Sequence, residues 1–161
     1  MKIALMTLAF LASGSAYAAS NNATLVEKNI SLNQANSLAS AAIASCAAQQ
    51  YNVAVTVVDR AGIVKAVQRM DNAGPHTVEA SRMKAFTALS SKNSSGKVME
   101  AAQKNPGAAN MTAIPGYLLL AGGVPVKSGD QVIGAIGIGG APGGHLDETC
   151  ALEALKSFDA S

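Results

Sequence analysis

Val53-Ala54-Val55-Thr56-Val57-Val58-Asp59-Arg60-Ala61-Gly62-Ile63-Val64-Lys65-Ala66-Val67-Gln68-Arg69-Met70 is the stretch on which the fold turns. Val53 to Asp59 is β-branched and alternates only weakly, the pattern of a strand buried on both faces. Asp59-Arg60-Ala61-Gly62 is a turn, with Gly62 free to take a positive φ, and Ile63 to Met70 returns as a second strand. A connection this short forces antiparallel pairing. A second pair follows later. Tyr117 to Ala121 reads as a compact apolar strand, Gly122-Gly123 breaks it or inserts a bulge, and Val124 to Lys127 continues. Ser128-Gly129-Asp130 then turns the chain into a last strand, Gln131 to Ile138.

Helices surround these hairpins. Ser31 and Gln34 have capping-box spacing, Ile30 stands where a hydrophobic staple would, and Leu32, Ala35, Leu38, Ala42 and Cys46 recur at helical intervals. That helix is expected to end near Gln50. After the loop Asp71 to His76, Thr77 to Ser91 reads as a helix with Val78, Ala85, Phe86 and Leu89 on its apolar side. Lys97 to Lys104 is a short helix stopped by Asn105-Pro106-Gly107. His145 to Phe158 closes the chain, with Leu146, Cys150, Ala154, Leu155 and Phe158 facing inward. The order α-β-β-α-α-β-β-α defines an α+β domain, one antiparallel sheet flanked by helices, over residues 30–161.

Residues 1–18 are read as a secretory signal: Lys2, the apolar run Ile3 to Ala12, then the small-residue site Ala16-Tyr17-Ala18. The run is shorter than the roughly 20 residues a membrane span needs. No Cys follows the site, so no lipid anchor is expected. Residues 19–29 are read as a flexible, polar arm. The mature chain is therefore expected in the periplasm or outside the cell.

Composition excludes several functions. The 161 residues are 49% hydrophobic and 14% charged, with 12 basic against 10 acidic side chains, so disorder is excluded. No basic stripe exists to displace counterions from phosphates, and three Phe, three Tyr and no Trp make a poor base-stacking platform. Nucleic acid is not an expected partner. The glycines at 134, 137, 139, 140, 143 and 144 do not make a dinucleotide fingerprint, because Pro142 occupies its third position and no Lys-Ser/Thr follows. They read instead as close backbone approach, within the sheet or across a subunit contact.

Cys46 and Cys150 fall on the inner sides of the first and last helices. They would pair in an oxidising compartment if those helices lie side by side, or stay as small core residues; both readings stand at this point. No Cys-x-x-Cys-His exists for covalent haem attachment, and no Cys-rich zinc pattern. Neither cysteine reads as a nucleophile, and no Ser-His-Asp set is present. His145, Asp147 and Glu148 open the last helix; they could share a metal, but acids in a first turn are sufficiently explained by the helix dipole. His76 follows Gly74-Pro75 and precedes a helix carrying Arg82, Met83 and Lys84. An imidazole on so rigid a loop could ligate haem iron, with Arg82 or Lys84 pairing a propionate. The plainer reading is an exposed cap residue beside a snorkelling Arg82.

Several blocks then follow one another in a familiar order: Val57-Val58-Asp59-Arg60-Ala61-Gly62, Arg69-Met70-Asp71, Ala73-Gly74-Pro75, Lys84-Ala85-Phe86-Thr87-Ala88, Ile114-Pro115-Gly116, Ala121-Gly122-Gly123-Val124-Pro125-Val126, and Gly134 through Glu148. From Ile30 to Phe158 the chain resembles the GlcG/HbpS-like family. The resemblance implies a profilin-like α+β fold and homo-oligomers that can be octameric. It also implies non-covalent haem binding, linked to haem or iron sensing outside the cell in secreted HbpS-like members and found too in the C-terminal domain of PduO corrinoid enzymes. Other members are encoded with glycolate oxidation genes. The region implied for haem is Arg69 to Thr87. There His76 is the expected axial ligand to the metal and Thr87 a weaker oxygen ligand, with Arg69, Arg82 or Lys84 as propionate partners.

The expected function is thus a secreted or periplasmic oligomer that sequesters or senses haem without turning it over. Two alternatives remain open. One is a small oligomeric enzyme or accessory protein for a short oxidised acid, using Arg69, Asp71 and His145. The other is a structural oligomer without ligand.

Overall fold

The computed structural model describes residues 24–158. The secretory signal read at 1–18 and the start of the arm lie outside them. The elements are α1 (Leu32–Ala47), β1 (Ala54–Asp59), β2 (Val64–Arg69), α2 (Thr77–Ser91), α3 (Ser95–Lys104), a 3-10 helix (Pro106–Ala113), β3 (Gly123–Ser128), β4 (Gln131–Gly139) and α4 (Gly144–Lys156). Among the described residues no helix is long and apolar enough to cross a membrane.

The strands form one antiparallel sheet in the order β2-β1-β4-β3. The two hairpins therefore meet through β1 and β4, the strands that are apolar along nearly their whole length. Every residue of β1 is buried, as a central strand with both faces covered must be. One face carries Val55 and Val57 beside Ile138 and Ile136. It packs on Leu38, Ala39, Ala42 and Cys46 of α1 and on Ala151 and Ala154 of α4. The other face carries Val58 and Ala135 and receives Ala85 and Ala88 of α2.

The capping box at Ser31 and Gln34 is formed, and Ile30 is buried, its amide donating to the Ile133 carbonyl at 3.0 Å. Part of the arm is also held. Glu27 pairs with Arg60 at 3.0 Å, and the Asn29 side chain accepts from the Arg60 amide. Cys46 and Cys150 form a disulfide with 5.4 Å between their α-carbons, both fully buried where α1 lies against α4. That resolves the pairing in favour of a bridge between the first and last helices.

Two expectations need correction. The inner side of α2 is only in part the expected stripe of Val78, Ala85, Phe86 and Leu89: Ala85 is buried and Leu89 packs beside it, but the other buried residues are Thr77, Ser81, Lys84, Thr87 and Ala88, and Val78 and Phe86 are only half-buried. The cause is proximity. A β-carbon added to Gly137 would stand 2.0 Å from the Ser81 carbonyl oxygen, and one added to Gly123 would stand 2.1 Å from that of Lys84. The helix backbone lies on the strand backbone, so only small or polar side chains fit between, and Thr56 and Ser81 join their hydroxyls there at 2.8 Å.

The second correction concerns Tyr117 to Ala121, which is not a strand. Hydroxyls of the helices satisfy its backbone instead. Thr87 accepts from the Leu118 amide at 2.9 Å, and Ser95 donates to the Leu120 carbonyl at 2.6 Å while accepting from the Gly123 amide at 2.8 Å. The chain enters the sheet only at Gly123.

Gly137→Ala is expected to cost about 3 kcal/mol or more, or to prevent folding, because backbone must move to admit the methyl group. Gly129→Ala, at a φ of +59° but with nothing within 4 Å, is expected to cost only about 1 kcal/mol. Urea unfolding of the two variants checks the contrast. Replacing both cysteines with serine is expected to lower stability by about 2–5 kcal/mol in the same measurement.

Candidate ligand-binding site

The segment from Arg69 to Thr87 runs from the end of β2, through the loop at residues 70–76, into α2. Arg69 donates from its guanidinium to the Ala73 carbonyl, and the Thr77 hydroxyl closes the loop on the Gly74 carbonyl at 2.7 Å. His76 is the N-cap residue of α2, with no hydrogen bond from its side chain to the helix. Its ring is exposed and folds back over Gly74, where an added β-carbon would meet the imidazole at 2.9 Å. Arg69 and His76 are thus anchored on the same short stretch of loop.

The other three expected residues have different parts. Arg82 is on the surface of α2 and forms a two-pronged pair with Glu79, at 2.9 and 2.6 Å. The Arg82 hydrogen bond holds the Glu79 carboxyl below the usual carboxylate range. Thr87 is fully buried, and its hydroxyl is occupied by the Met83 carbonyl and the Leu118 amide. Lys84 turns inward: its ammonium donates to Asp147 at 2.7 Å and to the Ile138 carbonyl at 3.0 Å, with both side chains almost wholly buried. In this structure neither Thr87 nor Lys84 presents its polar atom to a ligand. The reason is again that α2 lies on the sheet along the face that carries them.

Asp147 has a further part in the last helix. It stands in the first turn of α4, as read, but is buried there, and its second oxygen accepts from the Ala141 amide at 3.0 Å, tying the loop after β4 to α4. Burial pushes its carboxyl up, while the Lys84 ammonium and the amides of Ala141 and Gly140 pull the other way. His145 and Glu148 acquire no third partner, since no group of three His, Cys, Asp or Glu side chains is placed to hold a metal among the described residues. Nor does any described hydrogen bond or ion pair join Arg69, Asp71 and His145.

Clefts lie elsewhere. One of about 570 Å³ sits between the β1–β2 turn and the end of α2, over Phe86, Leu89 and Val132, with Arg60 and Lys92 at its rim. Another, of about 500 Å³, opens between the first turns of α3 and α4. It is lined by Met99, Leu120 and Leu152 and by the polar side chains of Lys97, His145 and Glu148. Neither is lined by Arg69, His76 or Arg82. Sequence reasoning noted His145 but not Met99 or Lys97, because the cleft joins helices nearly fifty residues apart in the chain.

A profilin-like sheet of this strand order, with glycines receiving a helix on one face and a buried Lys–Asp pair beneath it, defines the class of domain. The particular family follows from comparison. Residues 30–156 match the model described as "Haem degrading protein HbpS-like", and the chain belongs to that HbpS-like family. The fold is shared with a double mutant of HbpS from Streptomyces reticuli, 31% identical, with a TM-score of 0.81 over 91% of this chain and 99% of that one. A 15.0 kDa protein encoded between dhaT and dhaS in Citrobacter freundii is 32% identical over 69% of this chain and 80% of its own length. The PduOC:heme complex, 24% identical, covers 80% of this chain and 94% of its own with a TM-score of 0.71, a likeness of fold.

Lys84→Met is expected to cost about 3–5 kcal/mol by stranding a buried carboxylate, and Lys84→Met with Asp147→Leu is expected to regain most of it. A double-mutant cycle in urea measures this. The pH profiles should also run in opposite senses. A raised folded-state pKa means Asp147 holds its proton more tightly when folded, so its contribution to stability grows as pH falls through and below that raised value. Glu79, held low, contributes above its unfolded pKa and loses that contribution as pH falls through the folded one. Unfolding of Asp147→Asn and Glu79→Gln across pH 3 to 8, each set against the unmodified chain, separates the two.

Proposed function

We propose that this chain is an exported, oligomeric protein that binds haem non-covalently and sequesters or senses it without consuming it. The observation that carries the reading is membership of the HbpS-like family, joined to the fold shared with a protein captured as a haem complex. The donor chemistry fits. Both histidines of the sequence are exposed, and no described hydrogen bond engages either ring, so an imidazole is open to iron at His76 or His145. Covalent attachment has no thiol to use, since both cysteines are in the disulfide.

That disulfide also favours an oxidising compartment, in agreement with the secretory signal read at residues 1–18. Assembly is supported by the apolar edge at β2, a strand with one unpaired side, where Val64 and Val67 are 41% and 46% exposed and Ile63, just before the strand, is 64% exposed. An octamer is the assembly this reading favours, and sedimentation reads it directly.

Hemin titrated into the mature chain is expected to give a saturable Soret shift at about one haem per chain, retained in high salt. Addition of ascorbate in air is expected to leave the band standing. Steady bleaching would instead support the haem breakdown that the family description names, and absence of any saturable shift would sink the haem reading.

A further inference from the structure

We propose that haem is seated in the cleft between α3, β3 and α4, with His145 toward the iron and Lys92, Lys97 and Lys127 toward the propionates. This rests on the haem reading above and assigns it a place away from the loop that carries His76.

The cleft is longer than its α3–α4 mouth. A second hollow, of about 340 Å³, adjoins it along β3 and shares Ser94, Lys97, Glu148 and Leu152 with it, so the two form one continuous groove. Its α4 wall is the stripe His145, Glu148, Thr149 and Leu152, side chains three and four apart that share one helical face. Seven residues of helix span about 10 Å, long enough to lay a tetrapyrrole lengthwise. The apolar lining suits its faces: Leu120 and Leu152 are 49% and 48% exposed here, with Met99, Val124 and Pro125 beside them.

The two ends of the groove differ in chemistry. At the mouth stand the imidazole of His145, folded over Gly143 and without a hydrogen-bond partner among the described residues, and the thioether of Met99. Both are iron ligands of known type. At the far end stand Lys92, from the end of α2, and Lys127, from β3, and Lys97 of α3 lies between the two ends, lining both hollows. All are exposed, and none has an acidic partner among the described residues, unlike Lys104 and Lys156, which pair within their own helices. An anionic end and a metal centre on one flat apolar molecule would answer both ends at once. Glu148 and Glu100 are the opposing charges in the groove, and Glu100 is paired with Lys104. The Glu148 carboxylate lies against Gly96, where a β-carbon would meet it at 2.7 Å, in the first turn of α3, whose partial positive charge faces it.

Five proteins decide the matter: the unmodified mature chain, His76→Ala, His145→Ala, Lys97→Ala with Lys127→Ala, and Lys97→Arg with Lys127→Arg. Each is titrated with hemin and, separately, with iron-free protoporphyrin IX. Because every altered residue is exposed, far-UV circular dichroism and the thermal midpoint should not move. His145→Ala is expected to change the Soret position and to regain it on addition of imidazole, while porphyrin binding changes less than twofold. The double alanine variant is expected to weaken both ligands about tenfold, and the double arginine variant to restore them. His76→Ala is expected to match the unmodified chain. A His145→Ala spectrum identical to the unmodified one, or a loss confined to His76→Ala, would overturn the site while leaving haem binding intact. Equal binding by the double alanine variant would overturn the propionate assignment. Failure of the unmodified chain to bind hemin would defeat the haem reading itself, and this site with it.

Discussion

Everything around the sheet is placed by the contact of α2 with β3 and β4, where two backbones touch with almost no side chain between them. Because Gly137 and Gly123 leave no room for a β-carbon beneath Ser81 and Lys84, the helix has one depth and one rotation available. Side chains that would ordinarily fill an interlayer gap are excluded, and hydroxyls and a lysine take their place. Close packing of this kind forgoes much of the apolar area that usually stabilises a helix on a sheet, roughly 25 cal/mol per Å². Dispersion at short range and buried hydrogen bonds replace it.

The Lys84–Asp147 pair follows from the same contact. With α2 so near, Lys84 can reach the Ile138 carbonyl near the end of β4 and on to Asp147 of α4. A buried ion pair is a weak source of net stability, since desolvation takes back much of the attraction. Its use here is geometric. Asp147 fixes the first turn of α4 and, through the Ala141 amide, the loop that precedes it. That sets where His145, two residues earlier, meets the solvent. The position of one wall of the groove is therefore settled in the interior of the protein.

The hairpins, the helix order and the capping box were legible because each is local: a β-branched run with a turn, or a serine three residues before a glutamine. The expected stripe of Val78, Ala85, Phe86 and Leu89 is met at Ala85 and in part at Leu89 only, for a physical reason. Periodicity assumes that the apolar side faces inward, and at Gly137 the partner surface admits nothing of that size. Tyr117 to Ala121 misled similarly, since an apolar run satisfied by the hydroxyls of Thr87 and Ser95 looks like a strand until those partners are known. The cysteines could be placed on inner faces, but their pairing depended on helices at opposite ends of the chain. At the candidate site a lone histidine after Gly-Pro was visible in the sequence. A convergence of lysines from α2, α3 and β3 was not, because nothing in their spacing brings them together.

The bridge between Cys46 and Cys150 has a consequence for the order in which the molecule is completed. The two residues are separated by 104 positions, and no other cysteine is present, so only one connectivity exists and no shuffling is needed. The first thiol must nevertheless wait for α4, the last of the described helices. A chain emerging N-terminus first therefore carries an unprotected Cys46 until α4 has emerged and docked. During that interval the thiol is open to other oxidants or to a neighbouring chain. Loss of the final helix, by truncation or stalled synthesis, would leave a reactive monothiol on a partly formed sheet, a species that cross-links to others of its kind instead of closing on itself.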